Sequence, residues 1–148
     1  MNLDKAKEIQ DLLFAFMGLF HEKFFRRFRH EINCESHLKK NDTKILSILY
    51  KHAPMTLTEI GKRLDIEKGS LTTLIDSLEE KDLVIRSNDP ADRRKTLISL
   101  STKGREEMER VMDFFAKRID ESLLKADPAE IKEFQNNLKK VVEFLKKA

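Results

Sequence analysis

The sequence has little of what secreted and membrane-spanning proteins depend on. It contains one cysteine, Cys34, among 148 residues, which excludes a scaffold built on internal disulfides. No apolar run approaches the ~20 residues that a helix needs to span a bilayer. The N-terminal segment "MNLDKAKEIQ" lacks the basic end and apolar stretch of a signal peptide. We therefore expect a cytoplasmic protein with no membrane partner.

The sequence also lacks the residue sets of common enzyme sites. It contains no Ser-His-Asp set, no paired carboxylates in a cleft-like context and no phosphate-binding loop. His30, Cys34 and His37 are soft ligands that would suit zinc, but the segment around Cys34 has the composition of a helix end. No basic residue adjoins Cys34 to activate its thiol. We predict no catalytic residues, no metal site and no cofactor, with an inert Cys34.

The charge is balanced rather than strongly basic. Charged residues make up 37% of the chain, and the formal net charge is +3. This mild positive excess is compatible with nucleic-acid binding but does not require it. Whether the chain binds nucleic acid therefore has to be judged from where the charges lie.

Hydrophobic periodicity predicts long helices at both ends of the chain. Residues 4–30 carry apolar side chains at the i, i+3, i+4 spacing of one helix face and contain six of the ten phenylalanines. A long helix follows Ser101 or Thr102, and a last one follows the N-cap Asp127 and Pro128. These apolar stripes exceed what a small central domain can cover, which predicts burial against a second copy of the chain.

The middle of the chain predicts two short helices joined by a tight turn. A first short helix, "KILSILYKH", follows the N-cap cluster at residues 41–43. Thr56 and Glu59 have capping-box spacing at the start of "LTEIGKRL", and a turn at residues 65–66 leads to "EKGSLTTLIDSLEEKDL". This pair has the outline of a helix-turn-helix. The segments "LVIRS" and "TLISLS" flank a polar loop and predict a two-stranded antiparallel wing.

The predicted fold is mainly α (α+β): a winged helix-turn-helix with long N- and C-terminal dimerisation helices. We expect an N-terminal dimerisation helix over residues 1–37, a winged lobe over 38–101 and C-terminal dimerisation helices over 102–148. No composition shift marks a separate linker, so these segments are expected to form one compact chain.

The stretch from Leu38 to Glu107 resembles the MarR family of winged helix-turn-helix transcriptional regulators. The resemblance rests on "LEEKDLVIR", on Asp92-Arg93-Arg94 and on "LSTKG", which occur in the family's order and separation. Asp82 stands where the family usually has glycine, at a position that often needs a positive φ, and Ser101 replaces the usual threonine. Thr73 and Ser77 occupy positions where relatives often place arginine, so base recognition is not carried over from them.

The resemblance implies a DNA-binding wing. In the family, the arginine matching Arg94 enters the minor groove, and the aspartate matching Asp92 holds its guanidinium. An adjacent carboxylate can order that planar group by a bidentate bond, and narrow minor grooves attract arginine. Arg93 and Lys95 would then reach phosphates.

Further DNA contacts are expected from the second helix of the pair. Lys68 and the helix N-terminus suit a phosphate, while Ser70, Thr72 and Thr73 suit base edges or thymine methyl groups. Arg86 is a candidate backbone contact. The predicted DNA-binding residues are thus Lys68, Ser70, Thr72, Thr73, Arg86, Asp92, Arg93, Arg94 and Lys95, and Asp76 and Ser77 are expected to be ordinary hydrated residues.

We predict a homodimeric regulator of transcription, a repressor, that binds a pseudo-palindromic operator in double-stranded DNA. Phe16, Phe20 and Phe24 are candidates for a pocket that takes a small aromatic or lipophilic effector, although most of the phenylalanines could simply form dimer core. Two alternatives stay open: a winged-helix protein-interaction module that does not bind DNA, and a redox- or metal-sensing regulator of the same fold.

Overall fold

A computed structural model describes residues 1–35 and 38–148, without the side chains of 33–35. The elements follow the predicted order: α1 (Leu3–Phe20), a π-helical turn (His21–Phe25), α2 (Arg26–Glu35), α3 (Lys40–His52), β1 (Met55–Thr56), α4 (Leu57–Leu64), α5 (Lys68–Glu80), β2 (Val84–Asn88), β3 (Thr96–Leu100), α6 (Thr102–Ser122) and α7 (Pro128–Lys147). This confirms the mainly helical winged helix-turn-helix. None of the described helices is both long and apolar enough to cross a membrane.

The chain divides into two compact units, residues 29–114 and the combination of 1–28 with 115–148. The three-part division predicted above, with boundaries at residues 37 and 101, stays a prediction.

The unit of residues 29–114 is built around one apolar core. The inward faces predicted for α3, α4 and α5 supply most of it, and the three strands, Leu83 and α6 supply the rest. The most fully buried apolar side chains are Ile45, Leu46, Leu49, Ile60, Leu71, Ile75, Leu78, Val84, Ile98 and Met108. Each such side chain stabilises the fold by roughly 1.5–3 kcal/mol relative to leaving it exposed, so this core fixes α5 against the sheet.

The sheet has one strand more than the sequence predicted. Its order is β1-β3-β2, all antiparallel. Met55 and Thr56 of β1 lie opposite Ile98 and Leu97 of β3. A two-residue strand is too short to show the alternation by which strands are detected in a sequence. The prediction of a two-stranded wing was therefore incomplete.

Three of the predicted helix starts are confirmed by their capping bonds. The Thr56 hydroxyl accepts from the backbone N–H of Glu59 at 3.2 Å, and the Glu59 carboxylate accepts from that of Thr56 at 3.3 Å. The Ser101 hydroxyl accepts from the backbone N–H of Gly104 at 2.9 Å, and Asp127 accepts from that of Ala129 at 3.0 Å.

The predicted N-cap cluster at residues 41–43 lies inside its helix. Helix α3 begins at Lys40, and the Asp42 carboxylate accepts from the backbone N–H of Lys39 at 3.1 Å. Asp42 is buried, and its carboxylate lies 3.6 Å from the Lys81 ammonium. The prediction failed because an acidic residue in the first helical turn can satisfy the cap from within.

In the other unit, the terminal helices leave their apolar side chains largely uncovered. No residue of α1 or α7 is buried, and Leu12 and Phe144 are each at least 70% exposed. The predicted first helix is interrupted by the π-helical turn at His21–Phe25. A π-helical hydrogen bond spans one residue more than an α-helical one. Phe28, just beyond it, is buried and packs on Phe115 with ring centroids 4.6 Å apart.

Candidate nucleic-acid interface

The helix-turn-helix is closed by a residue in a left-handed conformation. Asp65 ends α4 with φ 53°, a value that aspartate tolerates better than most residues. The Ile66 N–H then donates to the carbonyl of Gly61 at 3.1 Å, and a Cβ on Gly61 would meet the Ile66 carbonyl at the same distance. The close turn allows α5 to begin at Lys68, three residues after Asp65.

The predicted major-groove residues share the first turns of α5. Lys68, Ser70 and Thr73 are exposed, and Thr72 is half-buried. The Thr72 hydroxyl donates to the Lys68 carbonyl at 2.9 Å, and the Thr73 hydroxyl to the Gly69 carbonyl at 3.2 Å. These bonds use the hydroxyl protons and leave the oxygen lone pairs and the methyl groups available to base edges.

The N-terminus of α5 has no side-chain cap, because the N-cap residue Glu67 makes no such hydrogen bond. The first backbone N–H groups of a helix lack acceptors inside it and carry the positive end of the helix dipole. Together with the exposed Lys68 ammonium they form the donor set that a DNA phosphate requires.

The wing turn between β2 and β3 is built by its two aspartates. The Asp89 carboxylate accepts from the backbone N–H of Ala91 at 2.9 Å, and the Asp92 carboxylate accepts from that of Arg94 at 3.1 Å. Backbone bonds from Asp89 to Lys95 and from Lys95 to Asp92, both 3.0 Å, close the loop. Such side-chain bonds to the N–H two residues ahead stabilise tight turns.

The basic side chains of the wing tip are left free by this arrangement. Arg93, Arg94 and Lys95 are exposed, and within the described parts of the chain none of them pairs with a carboxylate. The expected bond between the Asp92 carboxylate and the Arg94 guanidinium is thus replaced by a bond to the Arg94 backbone. A residue two positions away in a turn presents its N–H to the carboxylate without ordering a long side chain, which is the entropically easier contact.

Arg86 does not have the free position expected of a backbone contact. Its guanidinium donates to the Asp76 carboxylate at 2.5 Å and to the Glu79 carboxylate at 2.9 Å. The hydrogen bond to Asp76 is the main cause that raises the pKa of Arg86 above its ordinary value. Asp76 is therefore an ion-pair partner and not simply a hydrated residue. The three residues lie seven and ten positions apart, so no local sequence pattern indicated the contact.

The turn after α5 docks closely on the start of α6, a feature that the sequence analysis missed. Asp82 has φ 59°, as its place in the glycine position suggested. Its carbonyl accepts from the Ser101 hydroxyl at 2.5 Å. A Cβ on Gly104 would lie 2.0 Å from the Leu83 carbonyl oxygen. The "LSTKG" segment was the available signal, since it contains both Ser101 and this glycine.

The candidate effector residues lie together in the terminal unit. The ring centroids of Phe16 and Phe20 are 6.2 Å apart and those of Phe20 and Phe24 are 6.0 Å apart. Phe25 and Phe115 also contact Phe20, at 6.2 and 6.3 Å. The π-helical turn brings Phe25 into the cluster, which a regular helical spacing did not predict.

Two candidates from the sequence fall outside what the structure describes. The zinc site weighed in the sequence would need His37 and the side chain of Cys34. The redox-sensing alternative would need the Cys34 thiol, and neither group is among the described atoms. Within the described parts of the chain, no three His, Cys, Asp or Glu side chains are grouped as a metal site would need.

The comparisons with known proteins agree with this geometry. The model of the MarR family matches residues 38–96. The chain is 34% identical over 86 residues to the uncharacterized HTH-type transcriptional regulator YkoM of Bacillus subtilis. The aligned residues make up 58% of this chain and 56% of that protein. It is 29% identical over 120 residues to the HTH-type transcriptional regulator MhqR of Bacillus subtilis, and the aligned residues make up 79% of this chain and 83% of that protein. The match therefore spans about half of the first relative and most of the second.

A solved structure of a MarR family protein from Bacillus stearothermophilus has the same fold, with a TM-score of 0.77 over 99% of both chains at 23% identity. The family model covers the helix-turn-helix and the wing turn, the segments in which the exposed α5 residues and the free basic tip lie. Residues 38–96, which hold these features, match the MarR family, and the similar Bacillus subtilis proteins are named as HTH-type transcriptional regulators.

Proposed function

We propose that the protein is a homodimeric repressor that binds a pseudo-palindromic DNA operator and is released from it by a small aromatic or lipophilic effector. The proposal is carried by the wing tip, where, within the described chain, the basic side chains of Arg93, Arg94 and Lys95 are free. Before it in the chain lies α5, whose first turn is polar and exposed. Both features belong to the unit of residues 29–114. We propose a cytoplasmic location, because the proposed partner is chromosomal DNA.

In this proposal the exposed side chains divide the DNA contacts between them. Ser70, Thr72 and Thr73 read the major groove, and Lys68 with the α5 N-terminus binds a phosphate. Arg94 enters the minor groove, while Arg93 and Lys95 contact flanking phosphates. Asp92 contributes by holding the backbone of the turn from which Arg94 projects.

The proposed DNA binding is tested by selecting operators from random double-stranded DNA and then measuring affinity against salt. A specific regulator should enrich an inverted repeat with half-sites about one helical turn apart and bind it at least ~10³-fold more tightly than random DNA. Failure of the folded protein to enrich any sequence would favour the alternative, a protein-interaction module that does not use DNA.

The proposed dimer rests on the uncovered apolar side chains of the terminal helices. Leu12, Met17, Val142 and Leu145 are each more than 40% exposed in the single chain. A large amount of uncovered apolar surface usually marks an association surface. An isologous dimer would also present two copies of α5 to the two halves of a palindrome.

We expect sedimentation to show a dimer at micromolar concentration and Phe134→Glu to shift it towards monomer, because the substitution places a charge on the apolar stripe of α7. Asn136→Glu is the matched control, since it adds the same charge to the same helix off that stripe. A parent protein that sediments as a monomer, or equal behaviour of the two variants, would contradict the proposed interface.

The proposed effector site rests on the ring cluster around Phe20. Phe16 and Phe20 are 46% and 37% exposed, so the cluster is not closed off within the single chain. Aromatic ligands stack favourably on such rings. We expect some small aromatic acids or lipophilic molecules to weaken operator binding and to raise the melting temperature, and Phe20→Ala to lose both responses while still binding the operator. A broad panel without either response would indicate a ligand-independent repressor.

A further inference from the structure

The ion-pair cluster of Asp76, Glu79 and Arg86 joins two elements that the proposed function uses separately. Asp76 and Glu79 lie on α5, one helical turn apart, and Arg86 lies on β2. Two different nitrogens of the guanidinium bind the two carboxylates, at 2.5 and 2.9 Å. A planar guanidinium that is hydrogen-bonded through two of its nitrogens is fixed in orientation as well as in distance. We name these three residues the α5–β2 clamp.

The clamp lies on the side of α5 that carries the candidate base-reading residues. Residues three and four apart are neighbours on a helix surface, so Asp76 adjoins Thr72 and Thr73, and Glu79 adjoins Asp76. Arg86 is opposite Ile98 of β3 in the sheet, and β2 runs on to the wing turn that begins at Asp89. The clamp therefore connects the reading side of α5 to the strand that carries the wing tip.

The charge of the clamp argues against a direct role in holding phosphates. Two carboxylates and one guanidinium sum to about −1, which repels DNA unless the group serves another purpose. The Arg86 side chain is 27% exposed, and its hydrogen bonds to Asp76 and Glu79 would have to be broken to reach a phosphate. An exposed ion pair also adds little stability, about 0–1 kcal/mol, so stabilising the fold is a weak reason for it.

We propose that the α5–β2 clamp positions the wing relative to α5, so that α5 and Arg94 engage adjacent grooves in one register. Arg86 is then a positioning residue for sequence-specific binding and not a phosphate contact. The inference rests on the proposed function. It replaces the backbone contact expected of Arg86 from the sequence, and it assigns a role to Asp76 and Glu79.

The test compares Arg86→Ala, Asp76→Asn and Glu79→Gln with Glu80→Gln. Glu80 is the matched control because it is the neighbouring exposed glutamate on α5 and, within the described chain, forms no ion pair with Arg86. Each carboxylate variant removes one negative charge, so charge counting predicts that all three bind DNA more tightly. The clamp predicts that only Glu80→Gln does so.

The expected result is a loss of about tenfold in operator affinity for Arg86→Ala, with non-specific affinity and the salt slope unchanged. Asp76→Asn and Glu79→Gln should lose operator affinity about threefold or more, and combining Asp76→Asn with Arg86→Ala should add little. Arg86→Lys should recover only part of the loss, because one ammonium cannot hold both carboxylates in the same geometry. Melting temperatures show whether each variant is folded.

Two results would overturn the inference while leaving the proposed function intact. The first is equal weakening of operator and random DNA by Arg86→Ala with a salt slope lower by about one, the mark of a phosphate contact. The second is tighter operator binding by Asp76→Asn and Glu79→Gln, as for Glu80→Gln. If the folded parent protein binds no DNA specifically, the proposed function itself fails and the clamp's role fails with it.

Discussion

Arg94→Ala should weaken operator binding by about 1–3 kcal/mol, which is a loss of roughly fivefold to 150-fold in affinity. Arg94 is exposed at the tip of the wing and, in the described chain, makes no ion pair that would compete with DNA. Its loss should be largest on operators with a narrow, A·T-rich flank, where the minor groove has the most negative potential. The measurement is operator affinity across a series of salt concentrations.

The matched control for Arg94→Ala is Lys95→Ala, which removes the same charge from the next residue. If Lys95 contacts only a phosphate, this variant should weaken specific and random DNA alike and lower the salt slope by about one. Indistinguishable effects of the two variants would contradict a minor-groove role for Arg94.

Substitutions of Asp92 test the wing turn in a second way, because the Asp92 carboxylate accepts a hydrogen bond from the Arg94 backbone N–H. Asp92→Ala removes an acid, yet it should weaken operator binding because the turn loses this bond. Asp92→Asn keeps an oxygen that can accept the same N–H and should bind at least as tightly as the parent. The double variant of Asp92→Ala with Arg94→Ala should be little worse than Arg94→Ala alone.

The outcome for Asp92→Asn separates two roles of the carboxylate. Weak binding by both Asp92→Asn and Asp92→Ala would mean that the negative charge orients the guanidinium in the complex, as the family resemblance implied. Tighter operator binding by Asp92→Ala than by the parent would show that neither role exists.

Gly104→Ala should lower the free energy of unfolding by at least about 3 kcal/mol, the upper part of the range for an overpacked site. The added Cβ would lie 2.0 Å from the Leu83 carbonyl oxygen and 3.0 Å from its carbon. Both neighbours are backbone, so no side-chain rotation can relieve the clash. For a chain of this length the loss corresponds to a melting temperature lower by about 6–12 °C.

Gly69→Ala is the control for Gly104→Ala, because a Cβ at Gly69 meets no atom within 4 Å. In a helix this exchange should stabilise the protein by about 0.5–1 kcal/mol. Calorimetry of both variants at the same protein concentration removes any contribution from dimerisation. An unchanged melting temperature for Gly104→Ala would mean that the start of α6 can move away from the turn at Leu83.

The sequence by itself determined the order of elements and most of their ends. The apolar faces of α3, α4 and α5 and the caps Thr56, Ser101 and Asp127 depend on residues no more than four positions apart. A period or a capping bond within one helical turn is present wherever that local sequence adopts a helix. The positive φ of Asp82 was expected on a different ground, the family resemblance, which places a glycine at this position.

The tertiary structure alone decided how these elements meet. The strand at Met55 exists because Ile98 lies beside it, and the partners of Arg86 lie on a helix that only core packing brings against β2. The Asp92 carboxylate had two partners within reach in sequence, the Arg94 guanidinium and the Arg94 backbone N–H, and the geometry of the folded turn selected the N–H. Contacts of this kind depend on how buried surfaces align distant segments, and a linear pattern does not carry that information.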